Sequence, residues 1–409
     1  MSATHQIDAA AGYRGHSMPL EMFQRGVLWL LIASSWLVFI EPSPYEFMFL
    51  LTLIIYLAHG MTVTGTMLPF IVFLLLYNIG GALSVVPVSG STEAVMFVVT
   101  SFYMAVMAMF FAFVCAKSPM KTMAVIRNAY ILASVVAALC GLLGYFDVAG
   151  TGALFAPDAR AQAAFKDPNV FSTYLMLPAA FLIHGLATGT QTYKLLSTCA
   201  LVILLAGIFL AFSRGAWVAL ILSMVFTLGL TFIVTPSLAL RSRIILYAIA
   251  GTILVACLLV FAISIEEVRV LFMERAQLIQ SYDGGETGRF GNQLNSISLL
   301  LQSPNGLGPL QFGYLFDGDP HNVYLNAFSS YGWLGGFSYL LMIVATISAG
   351  WRSVFTPTPW QPYAIVVFSV LFASMLQGMQ IDTDHWRHFY LQLGLMWGLY
   401  AATEIYRQN

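Results

Sequence analysis

Twelve long apolar runs divide this 409-residue chain, and they leave few folds open to it. They fall near 24–40, 45–60, 66–86, 94–116, 128–146, 169–188, 195–212, 215–234, 244–265, 322–349, 363–380 and 389–405. Each is too long for a strand and lacks the alternation of a half-buried one, so each predicts a helix. About 20 apolar residues cross the hydrocarbon core of a bilayer as a helix, with every backbone group satisfied internally. Composition agrees: 59% of residues are hydrophobic and 9% charged, against roughly 25% charged in a soluble domain. The expected fold class is all-α: a polytopic membrane protein of about 12 transmembrane helices, forming a single integral membrane domain over 1–409. The polar N-terminus, Met1 to Gln24, lacks the pattern of a cleaved signal, so the first run reads as a retained anchor. The four cysteines lie within apolar runs and read as small core residues. A net charge of −1 gives no sign of a nucleic-acid partner.

Charge gives the orientation. With alternating spans, the side of the N-terminus holds ten basic residues against Asp8, Glu21 and Glu404, a net +7. The opposite side holds seven basic and fifteen acidic residues, a net −8. The positive-inside rule then places both termini in the cytoplasm. Two external loops are long, about 147–168 and about 266–321. Within the second, Phe290, Leu294, Ile297 and Leu301 recur at helical spacing, with Asn292, Gln293, Asn295, Ser296 and Ser298 around them. This predicts an amphipathic helix lying at the membrane surface. The stretch from Ser303 to Pro309 then stops the helix in a glycine-rich turn.

Basic residues on an acidic side need a reason. Arg214 sits in Ser213-Arg214-Gly215, a tight hairpin between two apolar runs. It reads either as a snorkelling turn residue or as an anion ligand, since guanidinium offers a rigid fork of donors. Arg289 opens the amphipathic helix after a glycine-rich lead, and reads as a ligand or as a loop arginine paired with Glu286. His321 stands where the long loop re-enters the membrane, with Pro320 suited to a first helical turn. The helix dipole there favours the neutral imidazole that a general base requires, although an interfacial histidine is ordinarily structural. Asp167-Pro168-Asn169 reads as a capped helix start. Asp382, Asp384, His385, Arg387 and His388 cluster at the last external turn, without the spacing of a zinc site.

Together these pieces resemble the O-antigen ligase and O-antigen polymerase superfamily of bacterial envelopes. The resemblance rests on Asp167-Pro168-Asn169, on Ser213-Arg214-Gly215, and on Arg289 through Pro304, Gly306 and Gly308. Its most specific part is His321-Asn322, nine residues, then Gly332-Trp333-Leu334-Gly335. It covers about 160–400, with a ligase-like core over 169–400 and a large periplasmic loop over 266–321.

The resemblance implies a metal-independent, inverting glycosyltransferase of a bacterial inner membrane, with its active site periplasmic and no cofactor. The donor would be a glycan on undecaprenyl pyrophosphate, and the acceptor a sugar hydroxyl on a glycan or lipid A core. His321 would be the catalytic base, and Arg214 and Arg289 would bind the donor pyrophosphate. Asn322, Asp167, Asn169 and Gly332 would support them. A repeat-unit polymerase for O-antigen or exopolysaccharide shares this scaffold and donor. A passive carrier or flippase of lipid-linked glycans is a separate reading. It expects charges deep within spans, whereas the ionisable residues here sit at segment ends.

Overall fold

The computed structural model describes residues 20–275, 288–316, 318 and 320–408, with only the backbone of Arg275 and Arg289. Asp317, Asp319 and the 276–287 part of the long loop, with Glu286, lie outside the described residues. The described chain is helical throughout. The helices are α1 (20–33), α2 (Pro44–Ala58), α3 (Leu68–Ser84), α4 (Thr92–Lys117), α5 (Pro119–Tyr145) and α6 (Gly152–Phe155). Then come α7 (Pro168–Tyr174), α8 (Met176–Thr188), α9 (Lys194–Leu210), α10 (Arg214–Val234), α11 (Leu238–Ile263) and α12 (Glu266–Arg275). The last are α13 (Arg289–Leu301), α14 (Phe312–Phe316), α15 (Val323–Phe355), α16 (Gln361–Gln377) and α17 (Arg387–Gln408).

Every predicted run meets a helix, with α7 and α8 sharing one run across a bend. Among the described residues, seven helical stretches are long and apolar enough to cross a membrane, and three more apolar helices are 10–17 residues long. The shorter ones fall where turns cut into the apolar run, as at Ser34–Trp36 after α1. The predicted amphipathic helix is α13, whose Phe290, Leu294, Ile297 and Leu301 stay uncovered by protein while Ser296 and Leu300 are buried.

The helices divide into an inner and an outer set. The α7–α8 stretch is almost wholly buried; α11 buries almost nothing and exposes Leu246, Ile253, Val260 and Phe261. So much apolar surface facing outward is stable only against lipid, which makes the chain a multi-pass membrane protein. Two cysteines follow this division against expectation. Cys115 is buried, but Cys199 and Cys257 are exposed on outward faces, where a small thiol is equally compatible with lipid.

Hydrophobicity gives no preference for one helix pairing over another in lipid, so close backbone approach decides. A Cβ on Gly394 would lie 2.3 Å from the Ala108 carbonyl oxygen, and one on Gly398 2.6 Å from that of Ala112. Two small-residue pairs spaced by four thus seat α17 on α4. Gly80 does the same between α3 and α15, where its Cβ would meet the Gly335 nitrogen at 2.6 Å. The hydroxyls inside these helices donate to their own backbone, as from Ser223 to Ala219 (2.7 Å) and Thr346 to Met342 (2.7 Å).

Candidate active site at one end of the bundle

The end of the bundle that holds the starts of α7, α10, α15 and α17 carries two polar clusters. The first surrounds His321. Asn322 caps α15, its side-chain oxygen accepting the N–H of Tyr324 (3.1 Å) and of Leu325 (3.2 Å). The helix therefore starts at Val323, and Pro320 lies outside the first turn where the sequence suggested it. His321 precedes the cap, exposed, with φ +48°, a region that histidine enters more readily than most residues. Asp382 holds it there. One carboxylate oxygen accepts the His321 N–H and the other the Asn322 N–H, both at 3.1 Å.

The end of α16 and the turn after it secure the rest of this corner. The Val323 N–H donates to the Gly378 carbonyl (2.8 Å), and the Tyr324 hydroxyl donates to the Met375 carbonyl (2.7 Å). Buried Asp384 accepts from the Asn326 amide (3.2 Å), and its carboxylate lies 3.2 Å from His385 Nδ1. His385 Nε2 sits 3.0 Å from the Phe97 carbonyl. Burial alone would lower the His385 pKa; the Asp384 charge and hydrogen bond and the Phe97 carbonyl outweigh it, and the net shift is upward.

The second cluster surrounds Arg214, the half-buried first residue of α10. Ser213 caps that helix, accepting the Ala216 N–H at 3.4 Å. The turn before it needs φ +48° at Phe212 and leaves carbonyls pointing outward. Arg160 takes them: its Nε donates to Ala211 O (2.8 Å), and its terminal nitrogen lies 3.4 Å from both Phe212 O and Asn169 Oδ1. Asp167 caps α7 as predicted, accepting the Asn169 N–H at 2.6 Å. Arg160 thus staples the hairpin to the start of α7.

The C-terminal end of α16 joins the two clusters. A Cβ on Gly215, next to Arg214, would lie 3.4 Å from Gln377 Nε2, and Gly378 accepts from Val323 on the other side. The backbones of Arg214 and His321 thus flank one helix terminus. The third predicted residue, Arg289, has its backbone at the start of α13, while its side chain lies outside the described residues. That helix runs beside the approach to His321: the Gln293 amide donates to Pro320 O (2.8 Å) and the Asn292 amide to Phe316 O (2.5 Å).

Gly332 has a structural role. It interrupts α15 at φ +65°, ψ −169°, and the freed backbone receives the turn of the long loop. Trp333 N–H donates to Pro304 O and Leu307 N–H to Ser329 O, both at 2.8 Å. A Cβ on Gly332 would lie 2.6 Å from Pro304 O, and one on Gly306 2.6 Å from Ser329 O. The two glycines cross at contact distance, anchoring the loop to the helix that begins at His321.

A cavity opens at the same end, lined among others by Tyr45, Tyr130, Tyr174, Lys166, Arg387 and His388. Of the expected site residues Asp167 lines it, with His385, Arg387 and His388 of the last-turn cluster; Arg214 and His321 do not. Among the described residues, no group of three or more His, Cys, Asp or Glu side chains is arranged to hold a metal ion. Sequence reading assigned no role to Arg160, and it marked Asp382 only as a member of the cluster at the last external turn. Arg160 had a signal, as a further cation on the acidic side; Asp382 had none beyond its place in the last turn.

The fold and these clusters define a multi-pass helical membrane protein with a polar, arginine- and histidine-bearing end. Residues 199–340, about a third of the chain, match the O-antigen ligase family. This segment carries the features of the O-antigen ligase and polymerase superfamily, and the resemblance drawn from the motifs is borne out over it. It contains Arg214, Arg289, His321 and Gly332, and ends before Asp382. None of the curated proteins compared with the chain matches it.

Proposed function

We propose that the protein is an O-antigen ligase-type glycosyltransferase of the bacterial inner membrane, acting on its periplasmic face. The donor is a glycan on undecaprenyl pyrophosphate, and the acceptor is a sugar hydroxyl in lipopolysaccharide or surface polysaccharide assembly. One observation carries this reading: the Arg214 hairpin and the His321 cap flank the same end of α16, both within the matched segment.

The chemistry follows from the groups. Arg214 and Arg289 hold the pyrophosphate and stabilise the charge it gains on leaving. His321 accepts the proton of the acceptor hydroxyl as that oxygen bonds to the anomeric carbon. The bond from that carbon to the pyrophosphate oxygen breaks, its electron pair leaving with the phosphate. Attack from the face opposite the leaving group inverts the centre. A repeat-unit polymerase performs the same step on a lipid-linked acceptor; the glycan that accumulates on gene deletion separates the two.

The test divides binding from chemistry. His321→Ala should lower single-turnover transfer about 10²–10⁴-fold while donor binding persists. Arg214→Ala should weaken donor binding about ten- to a hundred-fold, the worth of a charge-assisted contact, and Arg214→Lys should rescue it only in part. Normal transfer by His321→Ala would remove His321 from the mechanism.

A further inference from the structure

The aromatic-walled cavity has no role in the step just described. We infer that it is a carbohydrate subsite, seating one neutral pyranose ring between α2, α5, α7 and the entrance to α17.

Four observations converge on it. Its walls include the rings of Tyr45, Tyr130, Tyr174 and Trp386, and such rings offer flat apolar faces with polar tips, the complement of a sugar's C–H face and hydroxyl edge. Its lining also holds unspent hydrogen-bonding groups. The Tyr130 hydroxyl, Arg387 Nε and His388 Nε2 have no partner among the described residues, and Tyr130 and His388 are buried. A buried polar atom left unpaired is costly, and a side-chain rotation that turned these three toward the cavity would let a ligand there supply their partners.

Charge selects the class of ligand. Lys166 is already paired with Glu41 at 2.8 Å, and Arg387 with Glu46 and, at 3.9 Å, with Glu41. A pyrophosphate entering here would meet carboxylates and find its cations taken. A neutral polyol meets alternating donors and acceptors instead.

The position suits a subsite of the transfer reaction. Asp167 on the lining caps α7, whose Asn169 contacts Arg160 of the Arg214 cluster. The stretch from His385 to His388 on the opposite wall follows Asp382, which grips the His321 backbone. A ring held here is linked through the lining to both clusters, as a sugar of the acceptor or of the donor chain. That second statement rests on the transferase reading; sugar binding itself does not.

The experiment uses the full chain in lipid nanodiscs, with saturation-transfer NMR on the methyl glycosides of glucose, galactose, mannose, rhamnose and N-acetylglucosamine. At least one should bind. Tyr130→Phe and His388→Phe should each weaken it about three- to ten-fold, the loss of one neutral hydrogen bond, and inorganic pyrophosphate should not displace it. Lys166→Ala on the exposed rim gives a third variant should a buried substitution prevent folding, and it should weaken binding as well. A photoreactive form of the bound glycoside should label the 385–388 peptide. Absence of binding by every glycoside, wild-type binding in the folded variants, displacement by pyrophosphate, or labelling elsewhere overturns the subsite. Transfer is then followed in the same variants: a raised KM for acceptor assigns the ring to the acceptor, a raised KM for donor to the donor chain. Glycoside binding without transfer in any assay leaves the subsite standing and removes the transferase; transfer without glycoside binding does the reverse.

Discussion

Asp382 spans two consecutive backbone N–H groups, and this grip fixes where the His321 ring can go. A histidine at φ +48° is uncommon, and it holds that conformation when its surroundings over-determine it. Asp382→Ala should therefore lower single-turnover transfer about 10- to 100-fold through misplacement of the proposed base, with donor binding unchanged. Asp382→Asn keeps an acceptor for one N–H and should recover part of the rate. Equal rates for Asp382→Ala and wild type would show that the grip is structural only. His385 gives a pH signature. Its folded-state pKa is raised, so its contribution to stability is complete below about pH 6.5, the ordinary histidine value, and is lost as pH rises through the folded value. Melting temperature should fall over that window, and His385→Phe should flatten the decline.

At the scale of the element, α15 works because it is broken. An unbroken helix would bond the Ser329 carbonyl and the Trp333 N–H internally, whereas at Gly332 both turn to the long loop. Gly332→Ala places a side chain at φ +65°, ψ −169°, a region essentially restricted to glycine and costing about 1–3 kcal/mol for other residues. It also drives a Cβ to 2.6 Å from Pro304 O. The melting temperature should fall and transfer should be lost, because the loop that carries α13 loses its seat. Gly229→Ala in the middle of α10 is the contrast: nothing lies within 4 Å of its Cβ, and alanine should be neutral or stabilising by up to about 1 kcal/mol.

At the scale of the whole molecule, the two ends differ in charge and in chemistry. Arg160, Arg214 and Arg387 gather at the end that holds His321, while Lys121 meets Glu21 (3.6 Å) and Arg352 meets Glu404 (3.7 Å) at the other. With the termini cytoplasmic, Tyr314→Cys in a cysteine-free background should react with an impermeant thiol reagent added outside, and Tyr193→Cys only after permeabilisation. Both positions are exposed. The reverse pattern would turn the protein over and place the His321 end in the cytoplasm. Asp283, in the same long loop, lies outside the described residues.

The sequence by itself determined that the apolar runs are helices, and it located the amphipathic α13, because hydrophobic content and period are local properties that bilayer and interface read directly. It also located Asp167 as a cap, and the order of the motifs that the family match covers, whereas the cap at Asn322 came only from the structure. Arg160 on the Phe212 carbonyl and Asp382 on the His321 N–H are contacts across 52 and 61 residues. No local pattern predicts which helix ends meet. That was decided by the crossings at Gly394 and Gly398 on α4 and at Gly80 on α15, where the absence of a side chain lets backbones touch. The tertiary structure therefore chose the neighbours of Arg214 and His321, and it alone formed the cavity at their end of the bundle. Apolar helices are interchangeable to lipid, and only shape distinguishes one pairing from another.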